Sequence, residues 1–168
     1  MSRRAQARLD ARAVAQPHGF NEDALDAMAP VETDAEHACL TKALYFEARG
    51  ESLKGQLAVA EVILNRVDSP RYPDSVCGVV KQGSKRLHAC QFSFMCDGRP
   101  EDMPNRAAHD RLSKLARLML DGRDRILTDG ATHYHTTQVN PSWSRRLERT
   151  TRIGVHIFYR RPTREARG

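Results

Sequence analysis

Ala43-Leu44-Tyr45-Phe46-Glu47-Ala48-Arg49-Gly50-Glu51 closes an apolar helical run on a carboxylic acid. On a helix, the neighbours that share a face with Glu47 lie three, four and seven residues back, at Leu44, Ala43 and Leu40. They form the core-facing stripe of an amphipathic helix. A carboxyl group there loses its hydration, and burial disfavours its charged form, so its pKa is expected above the ordinary carboxylate range. A carboxylic acid still protonated near neutrality is what a glycosidic leaving group requires of a general acid. The competing reading puts Glu47 at the edge of the stripe, reaching solvent or paired with Arg49.

The surrounding sequence predicts a mainly helical domain of the α+β kind. Thr33 or Asp34 is placed to cap the helix that runs to Arg49, and Gly50 ends it. A second helix over 53–67 is apolar nearly all round, through Leu57, Ala58, Val59, Ala60, Val62, Ile63, Leu64 and Val67, and is expected at the centre of the core. Ser69-Pro70-Arg71-Tyr72-Pro73 reads as a turn, followed by a short helix over 75–81. Residues 83–104 read as an irregular surface loop. A further helix over 105–120 presents Ala108, Leu112, Leu115, Ala116 and Met119 to the core. The pattern then changes: 131–136 and 153–159 read as two short strands, with Asn140-Pro141-Ser142-Trp143 in the loop between them.

The 168 residues suit one domain, and apolar segments of this length exclude wholesale disorder. We expect an N-terminal extension or linker over 1–34, a catalytic domain over 35–160, and a basic tail over 161–168. Lys and Arg number 27 against 21 Asp and Glu, a formal charge of +6. Arg3, Arg4, Arg8 and Arg12 mark one end, and Arg160, Arg161, Arg164 and Arg167 the other. Basic ends suit an acidic polymer, or are simply solvated. No stretch is long and apolar enough to span a membrane. Arg8, Asp10 and Arg12 interrupt any leader-like apolar run, so export is expected by a leader already removed or by another route.

Cys39, Cys77, Cys90 and Cys96 include no C-x-x-C pair, which argues against zinc. Two disulfides in an oxidising compartment fit the count, with three pairings open, as do four buried thiols. Cys39–Cys77 would tie the Glu47 helix to the segment after Pro73, and Cys90–Cys96 would close a loop around Gln91-Phe92-Ser93-Phe94.

His133 and His135 alternate onto one strand face, and His156 would complete a zinc set with Glu47 or Glu51 as base. No H-E-x-x-H, serine-nucleophile or phosphate-loop motif accompanies them. Glu51 lies one helical turn beyond Glu47, too close to flank a sugar from the other side, and reads as a supporting residue. Trp143, Tyr134, Phe92 and Tyr72 offer aromatic faces for a sugar.

Taken together, the blocks Ala43–Glu51, Gly55-Gln56-x-Ala58-Val59-Ala60 and Val62-Ile63-Leu64-Asn65-Arg66-Val67 resemble the SleB/CwlJ-type cell wall hydrolases, the family of spore-cortex-lytic enzymes. Tyr72-Pro73, Val76-Cys77-Gly78-Val79-Val80, Cys90-Gln91-Phe92-Ser93-Phe94, Trp143 and Ile153-Gly154-x-His156-x-Phe158 continue the likeness, over about residues 38–160. The cysteine-containing blocks look like the Gram-negative branch of the family. The resemblance implies a lysozyme-like transglycosylase domain with a small C-terminal β element. It implies cleavage of the MurNAc–GlcNAc β-1,4 bond of peptidoglycan, giving 1,6-anhydro-MurNAc ends, with Glu47 as the acid and base. Gln91, Ser93, Tyr134, Asn140 and Trp143 are then the candidate substrate contacts. The expected partner is peptidoglycan, with no nucleic acid, no membrane insertion, no cofactor and no metal. The expected state is a monomer in the periplasm, the cell envelope or outside the cell. Rival readings are a hydrolytic muramidase or phage-type endolysin on the same bond, a metal-dependent amidase or peptidase, and a non-catalytic wall-binding domain.

Overall fold

A computed structural model describes residues 21–82 and 102–162. The helix that carries Glu47 spans Ala35–Ala48, and the side chain of Asp34 caps it by accepting from the His37 amide at 2.9 Å. With Glu22–Asp26 as α1, this helix is α2. Its inner stripe, Leu40, Ala43, Leu44 and Ala48, is buried as the spacing requires. The next helix, α3 at Leu53–Val67, starts at the Ser52 cap and is buried along nearly its whole length from Gly55 to Leu64. The Gln56 amide of α3 donates to the carbonyls of Ala48 and Arg49 at 3.3 and 3.4 Å, satisfying the end of α2.

A short α4, Val76–Val80, is fixed to α2 in two ways. The Glu36 carboxylate accepts from the amides of Val76 and Cys77, and Cys39 forms a disulfide with Cys77 across a Cα separation of 5.3 Å. The Cys39–Cys77 bridge, left open among the alternatives in the sequence, is therefore present; Cys90 and Cys96 lie outside the described residues. The last helix, α5 at Arg106–Leu120, is capped by Asn105. It lies along α2, where His37 Nε2 meets the Ser113 carbonyl at 2.7 Å and the Tyr45 hydroxyl accepts from the Asn105 amide at 3.0 Å.

The acidic stretch read as linker differs from expectation. Asn21 caps α1, Leu25 is fully buried in the main core, and Asp26 forks onto Arg111 of α5 at 2.8 and 2.6 Å. The exposed ion pair adds little. Burying Leu25 contributes about 1.5–3 kcal/mol toward docking this five-residue helix.

Three antiparallel strands follow, β1 His133–Thr136, β2 Glu148–Ile153 and β3 His156–Arg160, in the order β1-β3-β2. The stretch 153–159, read from sequence as one strand, is a hairpin. Gly154 turns the chain at φ +59°, a conformation that favours glycine, and Ile153 pairs with His156. The register Tyr134↔Phe158 and Thr136↔His156 puts Tyr134, Phe158 and His156 on one face of the sheet. That inner face packs on Ala58 and Val62 of α3, with Ile153 and Ala131. The opposite, outer face carries His133, His135 and Tyr159, covered by Trp143 from a 3-10 helix at Ser142–Arg145.

Candidate active site

Glu47 occupies the last turn of α2 and is half-buried. Among the described residues its carboxyl accepts one hydrogen bond, from the Tyr134 hydroxyl to Oε2 at 3.1 Å. No cation lies at ion-pair distance among the described residues. Arg49, the partner that a structural reading would have supplied, folds back over the Tyr45 ring at 4.8 Å and donates to the Tyr45 carbonyl. Burial pushes the Glu47 pKa above the ordinary carboxylate range, and the single Tyr134 bond offsets this only in part. Tyr134 is itself held neutral, by burial and then by the adjacent carboxylate, so it serves as a donor.

Tyr134 reaches Glu47 because α3 pins the chain that leads into β1. The Glu61 carboxylate, only 1 % exposed, accepts from the amides of Leu127 and Thr128 and from the Thr128 hydroxyl at 3.0–3.2 Å. Asn65 donates to the Ala131 carbonyl at 2.8 Å, and Arg66 to the Thr132 carbonyl at 2.6 Å. These residues were not singled out from sequence. The available signal was three polar side chains, at 61, 65 and 66, interrupting or ending the apolar run from Leu57 to Val67.

Glu51 lies past the end of α2 with its side chain 19 % exposed, and His156 Nδ1 stands 3.9 Å from Oε1. A Cβ added at Gly154 would meet Glu51 Oε2 at 3.1 Å, so this carboxylate sits directly against the β2–β3 turn. Burial lowers the His156 pKa while Glu51 acts in the other direction. The His156 ring meets the Tyr134 ring edge-on at 4.9 Å. Glu47, Tyr134, His156 and Glu51 thus form one continuous group on the inner side of the sheet.

The zinc arrangement is overturned by the register. His133 and His135 face outward, whereas His156 pairs with Thr136 and faces inward, so the three imidazoles cannot converge. No group of three metal-ligating side chains occurs among the described residues. His133 instead fills the outer face between Tyr72 and Trp143, with its pKa lowered to about 4 by burial and by the positive Arg66 and Arg161. Trp143 touches His133, His135 and Tyr159 at ring separations of 5.2–5.6 Å, across the sheet from Glu47. Asn140 is exposed in the loop after β1. Gln91 and Ser93 lie outside the described residues. No helix among the described residues is long and apolar enough to cross a membrane.

Comparison with known proteins gives a consistent picture. The profile of the family described as Cell Wall Hydrolase matches residues 50–159. The spore cortex-lytic enzyme of Halalkalibacterium halodurans is 37 % identical over 133 residues, which are 75 % of this chain and 35 % of that protein. The spore cortex-lytic enzyme of Bacillus subtilis is 35 % identical over 120 residues, 71 % of this chain and again 35 % of its own length. The chain thus spans about a third of each of these relatives. Among solved structures, the catalytic domain of Bacillus cereus SleB superposes with a TM-score of 0.56 at 32 % identity, over 79 % of this chain and 95 % of that one. The catalytic domain of the germination-specific lytic transglycosylase SleB from Bacillus anthracis gives 0.58 at 30 % identity, over 79 % and 100 %. The mainly helical, lysozyme-like domain with a small C-terminal sheet is the fold expected from the sequence.

Proposed function

Since the chain belongs to the cell wall hydrolase family, we propose that it cleaves the MurNAc–GlcNAc β-1,4 bond of peptidoglycan as a lytic transglycosylase, with Glu47 as general acid and then general base. The observation that carries this reading is the half-buried Glu47 carboxyl, with its raised pKa and one hydrogen bond from Tyr134. Such a group is protonated in a larger fraction of molecules near neutrality than an ordinary glutamate.

In the proposed reaction, protonated Glu47 gives its proton to the glycosidic oxygen as the bond from that oxygen to the muramic C1 breaks. Glu47 is then a carboxylate, and the Tyr134 hydroxyl stabilises it while positive charge resides on the sugar. The carboxylate takes the proton of the muramic C6 hydroxyl, whose oxygen bonds to C1 and closes the 1,6-anhydro ring. Glu47 ends as it began, and no carboxylate nucleophile is required. Glu51 supports the site by bracing the Gly154 turn and His156, which backs Tyr134. Asn140, and Gln91 and Ser93 from the preceding loop, are proposed to contact the glycan.

The substrate puts the site of action in the cell envelope or outside the cell, which the Cys39–Cys77 disulfide suits. Mass analysis of the muropeptides released from purified peptidoglycan by the parent and by Glu47→Gln tests the proposal. Products lighter by one water than the hydrolytic ones, absent with the variant, are expected. Reducing ends would replace transglycosylation by hydrolysis, and a fully active variant would overturn the mechanism.

A further inference from the structure

Charge on this chain is divided between its two halves. From Gly130 to Pro162, six arginines stand against one acid, Glu148. Glu148 is occupied by Arg160, which also binds Asp129. The other arginines of the sheet region are not neutralised in this way. Arg145, Arg146, Arg149 and Arg152 are all exposed, and none has a carboxylate at ion-pair distance among the described residues. Among the described residues, Arg152 Nε donates to the Gly154 carbonyl at 3.1 Å.

The strand register gathers two of them, Arg149 and Arg152, on one side. Arg149 pairs with Tyr159, but Thr151 pairs with Phe158, so Thr150 is an extra residue in β2. A regular strand would turn residues 149 and 152 to opposite faces. The bulge brings both to the outer face, with Arg152 opposite Ile157, about 7 Å apart along the strand. Tyr159 touches Trp143 on that face, and the 3-10 helix of Trp143 also carries Arg145, with Arg146 following as its C-cap. The aromatic rings under this patch pack against one another: His135 stacks on Tyr159, and Trp143 makes a T-shaped contact with each. The facing sides of His135 and Tyr159 are thereby taken up by each other, which disfavours on those two rings the base stacking that single-stranded nucleic acid requires. The guanidinium forks remain, and their planar donor geometry matches carboxylates.

We infer that the outer face of the sheet is a second wall-binding surface, in which Arg145, Arg146, Arg149 and Arg152 hold the free carboxylates of peptide stems on insoluble peptidoglycan. This rests on the reading of peptidoglycan as substrate, but the surface lies across the sheet from Glu47 and needs no bond cleavage. It keeps the enzyme on the polymer while the inner face acts.

The test is cosedimentation of the full chain with purified peptidoglycan sacculi, using catalytically silent Glu47→Gln to prevent digestion. Chemical amidation of the stem carboxylates is expected to weaken retention about tenfold or more, as is raising the salt, because exposed ion pairs are screened. The fourfold variant Arg145→Gln, Arg146→Gln, Arg149→Gln, Arg152→Gln is expected to lose retention to the same extent. In an otherwise parental chain it is expected to cleave short soluble glycan fragments at the parental rate. Retention unchanged by amidation overturns the inference and does not depend on any variant folding. Arginine-dependent binding to anionic phospholipid vesicles or to DNA that is tighter than binding to sacculi also overturns it, in favour of that partner. Failure of the functional reading is separately visible: a parent that binds sacculi through these arginines but releases no muropeptide retains this surface and loses the proposed reaction.

Discussion

Glu47 and Glu61 sit in neighbouring helices, each among apolar side chains, and the chain treats them in opposite ways. Glu61 receives two backbone amides and a hydroxyl, so its carboxylate is matched by donors on the segment it anchors. Among the described residues, Glu47 receives one phenolic hydroxyl. Burial alone therefore does not mark a catalytic acid. The distinction lies in how many donors the fold supplies to the charged form, because donors stabilise the carboxylate and apolar surroundings stabilise the acid.

Substitution separates the two roles. Glu47→Gln is expected to lower the rate of glycan cleavage by about 10²–10⁴-fold, the usual contribution of a general acid–base group, in a muropeptide-release assay. Its stability should equal or exceed that of the parent near neutrality. The sign follows from the raised pKa: the contribution of Glu47 is fully present below its unfolded pKa and is lost as pH rises through the folded value. Glu61→Ala should do the reverse, destabilising the fold by about 3 kcal/mol or more in denaturant melts because buried amide donors are left unmatched. An active, fully stable Glu61→Ala protein would remove the contrast.

The disulfide belongs with Glu61 as scaffold. Cys39→Ser with Cys77→Ser opens a link across 38 residues and should cost about 2–4 kcal/mol, measured as a lower unfolding midpoint. A smaller change is expected from His133. Its pKa of about 4 means that the folded state resists protonation, so its contribution is fully present above the unfolded value of 6.5 and declines as pH falls toward 4. His133→Gln should flatten that part of the stability–pH curve, and an unchanged slope would reassign it.

The helices were legible in the sequence because caps and stripes are local. Of Thr33 and Asp34, the two candidates for the first long helix, Asp34 is the cap; the structure adds Ser52 and Asn105 for the next two, and spacing alone identified Leu40, Ala43 and Leu44 as the stripe behind Glu47. Strand β2 was missed because Glu-Arg-Thr-Thr-Arg-Ile has an arginine-rich outer face and almost no apolar alternation. The hairpin turn was hidden by apolar residues on both sides of Gly154. At five residues, α1 is too short to show a period, and only the burial of Leu25 reveals it. The acid of the site was therefore visible from its own neighbours. Its hydrogen-bond donor was named as a substrate contact but not as its partner, since 87 residues separate Tyr134 from Glu47.

The account turns on whether Glu47 is an unusually weak acid in the folded protein. A carbon-13 titration of the glutamate side-chain carboxyls, with the Glu47 signal assigned by its loss in Glu47→Gln, measures this directly. The predicted result is a Glu47 pKa above the ordinary 4.5, rising further in Tyr134→Phe as the one hydrogen bond to the carboxylate is removed. A value at or below 4.5 in the parent would contradict the account.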